Sequence, residues 1–84
     1  MKFYVEAIVT YKKELRDPEG ETILEHLVKK RGYSSVSQIR TGKYYLMVVE
    51  ASSPQEAIVL VKEMCDKLRI YNPIVNDLEV RVRE

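Results

Sequence analysis

Few residues in this sequence are of types that could perform acid–base, nucleophilic or metal chemistry. The chain has one histidine, His26, and one cysteine, Cys65. Together they are too few for a zinc site of ordinary ligand count. His26 lies one position off an apolar helical stripe. Cys65 lies inside another stripe, without a neighbouring base to activate its thiol. We therefore interpret both as structural residues.

Two groups of charged residues also invite a chemical interpretation. Glu19, Glu21 and Glu25 fall at a predicted helix start and on its surface, rather than forming a paired acid and base. His26 and Lys29–Arg31 match the dipole at a helix end, although such a cluster could also bind a phosphate or an acidic partner. No nucleophile–base pair, glycine-rich phosphate loop or paired metal ligands occur in the sequence. We predict no catalytic, cofactor or metal site within this chain.

The first half of the chain predicts a strand, a helix and a second strand. Apolar side chains occupy alternate positions over residues 2–10, which is typical of a strand. Asp17 and Pro18 are favoured at the start of a helix, and Gly32 is favoured at its end. Residues 36–41 predict a weaker strand, and Gly42 marks a hairpin into the next one.

The second half predicts a strand, a helix and a final strand. Residues 43–50 form an aromatic and aliphatic run. Ser53 and Pro54 begin a helix with a core-facing stripe, and the Asn72-Pro73 pair stops it. Residues 77–83 alternate between apolar and charged side chains.

This order predicts a single α+β domain over residues 1–84. Two split β-α-β units usually form a ferredoxin-like β-α-β-β-α-β sandwich, a four-stranded antiparallel sheet with two helices on one face. The first and third strands would be central, because they are the most apolar. The polar second and fourth strands would lie at the edges.

The third predicted strand is apolar on both faces. The side chains of one face are Tyr45, Met47 and Val49, and those of the other are Tyr44, Leu46 and Val48. Two helices on one side cannot cover both faces, and the pattern leaves open which face they cover. The open face would also carry Tyr4 and Ile8. Each large apolar side chain left in water forfeits about 1.5–3 kcal/mol, so we expect a second copy or another subunit to bury this face.

Composition narrows the class of partner. The net charge of +1 provides no strong field for nucleic acid or an anionic membrane. No apolar run approaches the ~20 residues of a membrane span, so we expect a cytoplasmic protein.

A chain of 84 residues is marginally stable alone, and one cysteine allows no intramolecular disulfide. Oligomerisation is the remaining source of stability.

Gly20 and the aromatic residues each leave two interpretations open. Gly20 is unfavourable inside a helix, so either the regular helix begins at Glu21 or another backbone or another subunit approaches closely. Aromatic residues on central strands of this fold could stack RNA bases, as in RNA-recognition domains. The near-zero charge and the Lys-Tyr-Tyr segment favour a subunit interface instead. The aromatic residues concerned are Phe3, Tyr4, Tyr44 and Tyr45.

Several short segments, in order, carry a resemblance to a known family. They are Asp17-Pro18-Glu19-Gly20, Gly32-Tyr33 with Val36, Arg40-Thr41-Gly42-Lys43-Tyr44, Met64-Cys65-Asp66-Lys67-Leu68 and Asn72-Pro73-Ile74-Val75. With these segments the chain resembles, nearly end to end, the PurS family of small subunits of three-component phosphoribosylformylglycinamidine synthases.

The resemblance implies a function in purine biosynthesis. In that family's complex a glutaminase subunit releases ammonia, and a large synthetase subunit binds ATP and Mg, activates an amide oxygen and accepts the ammonia. The S subunit forms a homodimer, or alternatively a tetramer, that joins the two and assists ammonia transfer. The family motifs and the open face together suggest interface residues: Asp17, Pro18, Gly20, Arg40, Gly42, Lys43, Tyr44, Leu46, Val48, Asn72 and Pro73.

We further hypothesise that Arg40 and Lys43 contact acidic or backbone groups of a larger subunit. Two alternatives to the bridging role remain. One is a ferredoxin-like regulatory dimer that binds a small effector at a subunit interface, and the other is an RNA-binding module.

Overall fold

A computed structural model describes residues 1–83 of the chain. Three strands and two α-helices form its regular structure, and a π-helical segment and a 3₁₀ turn extend the first helix. The strands are β1 (Lys2–Tyr11), β2 (Gly42–Glu50) and β3 (Asn76–Arg83). The helical elements are α1 (Pro18–Ile23), the π-helical segment (Leu24–Val28), the 3₁₀ turn (Lys29–Arg31) and α2 (Pro54–Lys67).

The strands form one antiparallel sheet in the order β2-β1-β3. β1 is central, with Tyr4 opposite Val48 on one side and Arg83 on the other. The predicted α+β class with antiparallel pairing is therefore confirmed. None of the helices in residues 1–83 has the length and apolar content needed to span a bilayer.

The sheet differs from the prediction in strand number and order. Within residues 1–83 it has three strands rather than four, because residues 36–41 form no ladder. The strand predicted to be third, now β2, lies at an edge rather than in the centre. No hairpin forms at Gly42, which instead lies opposite Thr10 at the start of β2. The backbone of residues 39–41 is held by groups near α1, as described below.

The core lies between the sheet and α2. Its buried residues are Val5, Ala7, Ala51, Ala57, Val61 and Cys65. α2 begins at the predicted cap, where the Ser53 hydroxyl accepts from the Glu56 N–H at 3.1 Å. It packs on β1 and β3, and its contact with β2 is at most marginal.

The first helix does not share this core, contrary to the prediction of two helices on one sheet face. α1 and the two helical turns after it contact one another, but make no substantial contact with the described strands. We call residues 18–31 the helical arm. It begins at the predicted Asp17 cap and ends at Gly32, whose φ of 89° is left-handed and suits glycine.

Candidate functional site

Asp17 organises the base of the helical arm. Its side chain is 1% exposed and accepts from the Gly20 N–H at 3.0 Å. It also accepts from the Thr41 N–H at 2.5 Å and from the Thr41 hydroxyl at 2.9 and 3.0 Å. The N–H groups of Gly20 and then Thr41 hold the pKa of Asp17 below its usual value. A carboxylate engaged in this way connects two segments of backbone and is not available as a general base.

Gly20 lies where two backbone segments touch. A Cβ atom built on Gly20 would lie 2.1 Å from the carbonyl oxygen of Ile39. α1 begins at Pro18, so the helix does not start after this glycine. The interpretation of a close backbone approach is therefore confirmed, and the approaching backbone belongs to the same chain.

Arg40 is engaged within the chain. Its guanidinium donates to the carbonyl oxygens of Leu15 at 2.8 Å, Lys12 at 3.0 Å and Tyr11 at 3.4 Å. Arg40 therefore closes the loop between β1 and α1, and its contact with a larger subunit stays a hypothesis. Lys43 is exposed and makes no ion pair with any other residue of the described range 1–83.

A polar cavity at this end of the sheet brings together parts of three of the family segments, those that begin at Asp17, Arg40 and Asn72. Its volume is about 290 Å³. Among the residues that line it are Glu19, Thr41, Gly42, Lys43, Arg69 and Asn72. We call this region the corner cavity. Pro73 lies instead on a wider groove between α2 and β3, beside Lys62 and Asp66.

The turn at Asn72 is fixed by its own hydrogen bonds. The Asn72 side-chain oxygen accepts from the Ile74 N–H at 3.0 Å, and the Asn72 N–H donates to the Asn76 side-chain oxygen at 3.0 Å. Asn72 therefore shapes the turn next to the corner cavity. Arg69, just before this turn, has a φ of 55°, which is uncommon outside glycine.

The open face of the sheet carries the remaining predicted interface residues. Tyr45, Met47 and Val49 point to the helix side, which leaves Tyr44, Leu46 and Val48 on the opposite side. Their exposed fractions are 52% for Tyr44, 43% for Leu46 and 58% for Val48, and Tyr4 of β1 is 54% exposed. With partly buried Ile8 they form an apolar surface, which we call the open-face patch.

Glu6 is the polar centre of this face. It accepts from the Tyr44 hydroxyl at 2.5 Å and from the Arg81 guanidinium at 2.9 Å. The Tyr44 and then the Arg81 hydrogen bonds lower the pKa of Glu6, while the Glu6 carboxylate raises the pKa of Tyr44. β3 continues the face with exposed Glu79, Arg81 and Arg83. The open face therefore has an apolar half beside β2 and a charged half along β3.

The predicted site residues thus form two groups, and Pro73 lies apart from both on the groove between α2 and β3. The first group surrounds the corner cavity and the base of the helical arm and consists of Asp17, Pro18, Gly20, Arg40, Gly42, Lys43 and Asn72. The second group lies on the open-face patch and consists of Tyr44, Leu46 and Val48. Sequence reasoning missed Thr41 and Arg69, whose positions depend on the fold. It also missed Glu6, although a single carboxylate among the apolar residues of a central strand was an available signal.

His26 and Cys65 lie in opposite kinds of surroundings. His26 is exposed on the arm, and Cys65 is fully buried in the core, where desolvation raises the pKa of its thiol. Residues 1–83 contain no cluster of three or more His, Cys, Asp or Glu able to hold a metal ion. Phe3 and Tyr45 face the helix side, so the four aromatic residues do not share one stacking surface.

Comparison with known proteins identifies a family. A model of the PurS family, described as phosphoribosylformylglycinamidine (FGAM) synthase, matches residues 4–84. The PurS subunit of this synthase from Thermotoga maritima is 40% identical over 73 residues, which are 87% of either chain. The PurS subunit from Bacillus subtilis is 34% identical over 82 residues, 98% of this chain and 94% of its own.

Solved structures give the same result. The crystal structure of the Thermotoga maritima PurS subunit superposes with a TM-score of 0.86 at 36% identity, covering 99% of this chain and 93% of that one. A chain of the Thermotoga maritima PurLQS structure superposes with a TM-score of 0.80 at 36% identity, covering 99% and 100%. Because the family model spans nearly the whole sequence and these relatives cover most of it, this chain belongs to the PurS family of FGAM synthase subunits.

Proposed function

We propose that this chain is the small, non-catalytic subunit of an ATP- and glutamine-dependent FGAM synthase in purine biosynthesis. It joins a glutaminase subunit to a large synthetase subunit and assists the transfer of ammonia between them. The likeness to a chain of the Thermotoga maritima PurLQS structure supports an assembly with larger subunits. ATP and Mg would be bound by the large subunit, and the complex would be cytoplasmic.

The observation that carries the proposal is the open-face patch. Contiguous exposed apolar side chains of this kind mark an interaction surface. The neighbouring charged half of the open face supplies the polar rim that protein interfaces usually have. The Glu6 carboxylate already accepts hydrogen bonds from Tyr44 and Arg81. A larger subunit that covers this face would therefore bury apolar surface without leaving the Glu6 carboxylate unpaired.

A bridging subunit also has a chemical reason to exist. Ammonia released into water is protonated and loses the lone pair with which it attacks. A junction that excludes water between two active centres preserves the free base. This subunit would contribute by sealing the junction, and it needs no catalytic group for that role.

The corner cavity is the proposed second contact with a larger subunit. Lys43 and Arg69 place two cations beside it, next to the turn made by Asn72. Of the two cations in our original hypothesis, Lys43 is the one with an unengaged side chain within the described range. Arg40 contributes indirectly, because it holds the loop that borders this corner.

Two equally exposed valines provide a matched test of the open-face patch. Val48 is 58% exposed on the open face, and Val59 is 61% exposed on α2. We expect Val48→Lys to weaken co-purification with the glutaminase and synthetase subunits at least about tenfold, since a charge replaces buried apolar area. Val59→Lys should assemble like the unmodified chain. Equal assembly of both variants would contradict the proposed role of this face.

A further inference from the structure

The corner cavity is lined by charged side chains that the chain itself does not neutralise. Lys43, Arg69 and Glu19 line it. None of the three forms an ion pair within the described part of the chain. By contrast Arg16 and Glu21, which flank Glu19 in the sequence, pair with each other at 2.6 Å. The cavity therefore has two cations and one carboxylate available, a net of one positive charge.

Arg69 occupies a position where the backbone favours glycine. α2 ends at Lys67, and after it the Ile70 N–H donates to the Cys65 carbonyl oxygen at 3.0 Å. This bond is typical of the Schellman motif, whose left-handed residue is usually glycine. Arg69 takes that place with a φ of 55°, although a side chain makes this conformation costly. The turn does not require an arginine, which points to a role for its side chain at the cavity.

The uncharged lining supplies apolar contacts and a hydrogen-bond donor. Val9, Ile70 and Tyr71 are among the lining residues. The side-chain oxygen of Asn72 already accepts from the Ile74 N–H at 3.0 Å, so its N–H₂ group is what this side chain can offer to a ligand. A few polar groups among apolar ones are typical of small-molecule sites, and about 290 Å³ is at the small end of their range. The cavity thus suits a small metabolite rather than a nucleotide.

The charges select the class of metabolite. Lys43 and Arg69 can each pair with an anionic group such as a carboxylate. Glu19 would repel a phosphate or a simple dicarboxylate, but it would attract an ammonium group. A small molecule with two carboxylates and one ammonium group satisfies all three residues. An acidic amino acid such as glutamate has these groups at pH 7, and its net negative charge complements the positive charge of the cavity.

We propose that the corner cavity binds a free acidic amino acid. Lys43 and Arg69 bind its two carboxylates, and Glu19 binds its α-ammonium group. The inference goes beyond the proposed function, which assigns no small ligand to this chain, and binding to the chain alone tests it without the larger subunits.

One consequence of this binding does rest on the proposed function. Glutamate is what a glutaminase leaves when it releases ammonia from glutamine. A bound glutamate would cancel the net charge of the corner and so weaken a contact with an acidic group of a larger subunit there. If the chain proved to have no role in a synthase, this consequence would fall, whereas binding to the chain alone would still be expected.

Calorimetric titration of the full-length chain at pH 7 tests the site with three probes. We expect saturable binding of glutamate with a Kd below about 5 mM. 2-Oxoglutarate keeps both carboxylates but lacks the ammonium group, and inorganic phosphate lacks it too. Both should bind at least about tenfold more weakly than glutamate. A glutamate Kd above about 5 mM, or equal binding of either of the other two probes, would overturn the proposal.

Charge-removing variants assign the roles of the lining residues. Lys43→Gln should weaken the binding of glutamate at least about tenfold. Glu19→Gln should remove the preference for glutamate over 2-oxoglutarate, because it removes the partner of the ammonium group. The matched control is Lys62→Gln, which changes an exposed lysine on the groove between α2 and β3 and should bind glutamate like the unmodified chain. Equal affinities of Lys43→Gln and Lys62→Gln would contradict the assignment.

Arg69→Gly separates the turn from the site. Glycine relieves the left-handed backbone, so the unfolding midpoint without ligand should stay the same or rise. The same variant should bind glutamate at least about tenfold more weakly, because one carboxylate loses its cation. Unchanged affinity would contradict a ligand-binding role for Arg69. A lowered midpoint would show that Arg69 serves the fold, which would equally contradict that role.

Discussion

Asp17 shows how one carboxylate can order a segment that has no regular secondary structure. The sequence indicates half of its role, because Asp before Pro is a favoured helix cap and the side chain does accept from Gly20. The other half, the bonds from Thr41, joins residues 24 positions apart. No spacing rule predicts that contact, since it exists only when the chain returns past the arm base.

Replacing this carboxylate by its amide should destabilise the chain in a pH-dependent way. Asp17→Asn removes the charge and places an amide N–H₂ group, which is itself a donor, against N–H or O–H donors. We therefore expect the midpoint of thermal unfolding at pH 7 to fall by at least about 4 °C. In the folded chain the pKa of Asp17 lies below its ordinary value of 3.8. The stabilisation is therefore complete above that value and is lost as the pH falls through the lower folded pKa.

Thermal unfolding from pH 7 to pH 3, at one fixed protein concentration, measures this difference. The difference in unfolding midpoint between the unmodified chain and Asp17→Asn should be largest near neutral pH and should decrease below about pH 4. Because Glu6 also has a lowered pKa, the acid response of the unmodified chain alone is not diagnostic. A difference in midpoint that stays constant from pH 7 to pH 3 would show that the charge of Asp17 is not the stabilising feature.

At the scale of elements, the contact between α1 and residues 36–41 replaces the predicted hairpin. Helix propensity favours Ala over Gly by about 1 kcal/mol, whereas a Cβ at residue 20 would lie 2.1 Å from the Ile39 oxygen. The contact is with backbone, so no side chain can move aside. We expect Gly20→Ala to be destabilising by a net of about 2 kcal/mol in denaturant unfolding.

The neighbouring exposed position provides the control for this substitution. Thr22→Ala changes an exposed residue of the same helix and should be neutral or slightly stabilising. If Gly20→Ala were as stable as the unmodified chain, the close approach of α1 to residues 36–41 would be absent in solution.

The sequence predicted the elements whose periodicity is local. Alternation predicts β1 and β3 to within one residue, and the apolar run predicts β2 equally closely. The capping residues predict the start of α2, but the helix ends at Lys67, before the predicted stop at Asn72-Pro73. The strand predicted at residues 36–41 was wrong. Ile39 suggested a strand, but the backbone of this segment binds Asp17 and packs on Gly20. The sequence also placed α1 on the sheet, because an apolar stripe does not reveal which surface covers it. The corner cavity brings together distant motifs in the same non-local way.

At the scale of the molecule, two apolar surfaces lie on opposite sides of one thin sheet. Phe3, Tyr45, Met47 and Val49 remain partly exposed on the helix side, and the open-face patch lies on the other side. The two surfaces can therefore be disrupted separately. Val48→Lys should impair assembly with the larger subunits, because it changes the open-face patch and leaves the helix side of the sheet unchanged.

The most direct measurement of the bridging role compares two nitrogen sources in a reconstituted synthase. The glutaminase and synthetase subunits are assayed with and without this chain, once with glutamine and once with an ammonium salt at a pH that provides free ammonia. We predict that glutamine-dependent turnover requires the chain and that ammonia-dependent turnover does not. Glutamine-dependent turnover at the same rate without the chain would contradict the account.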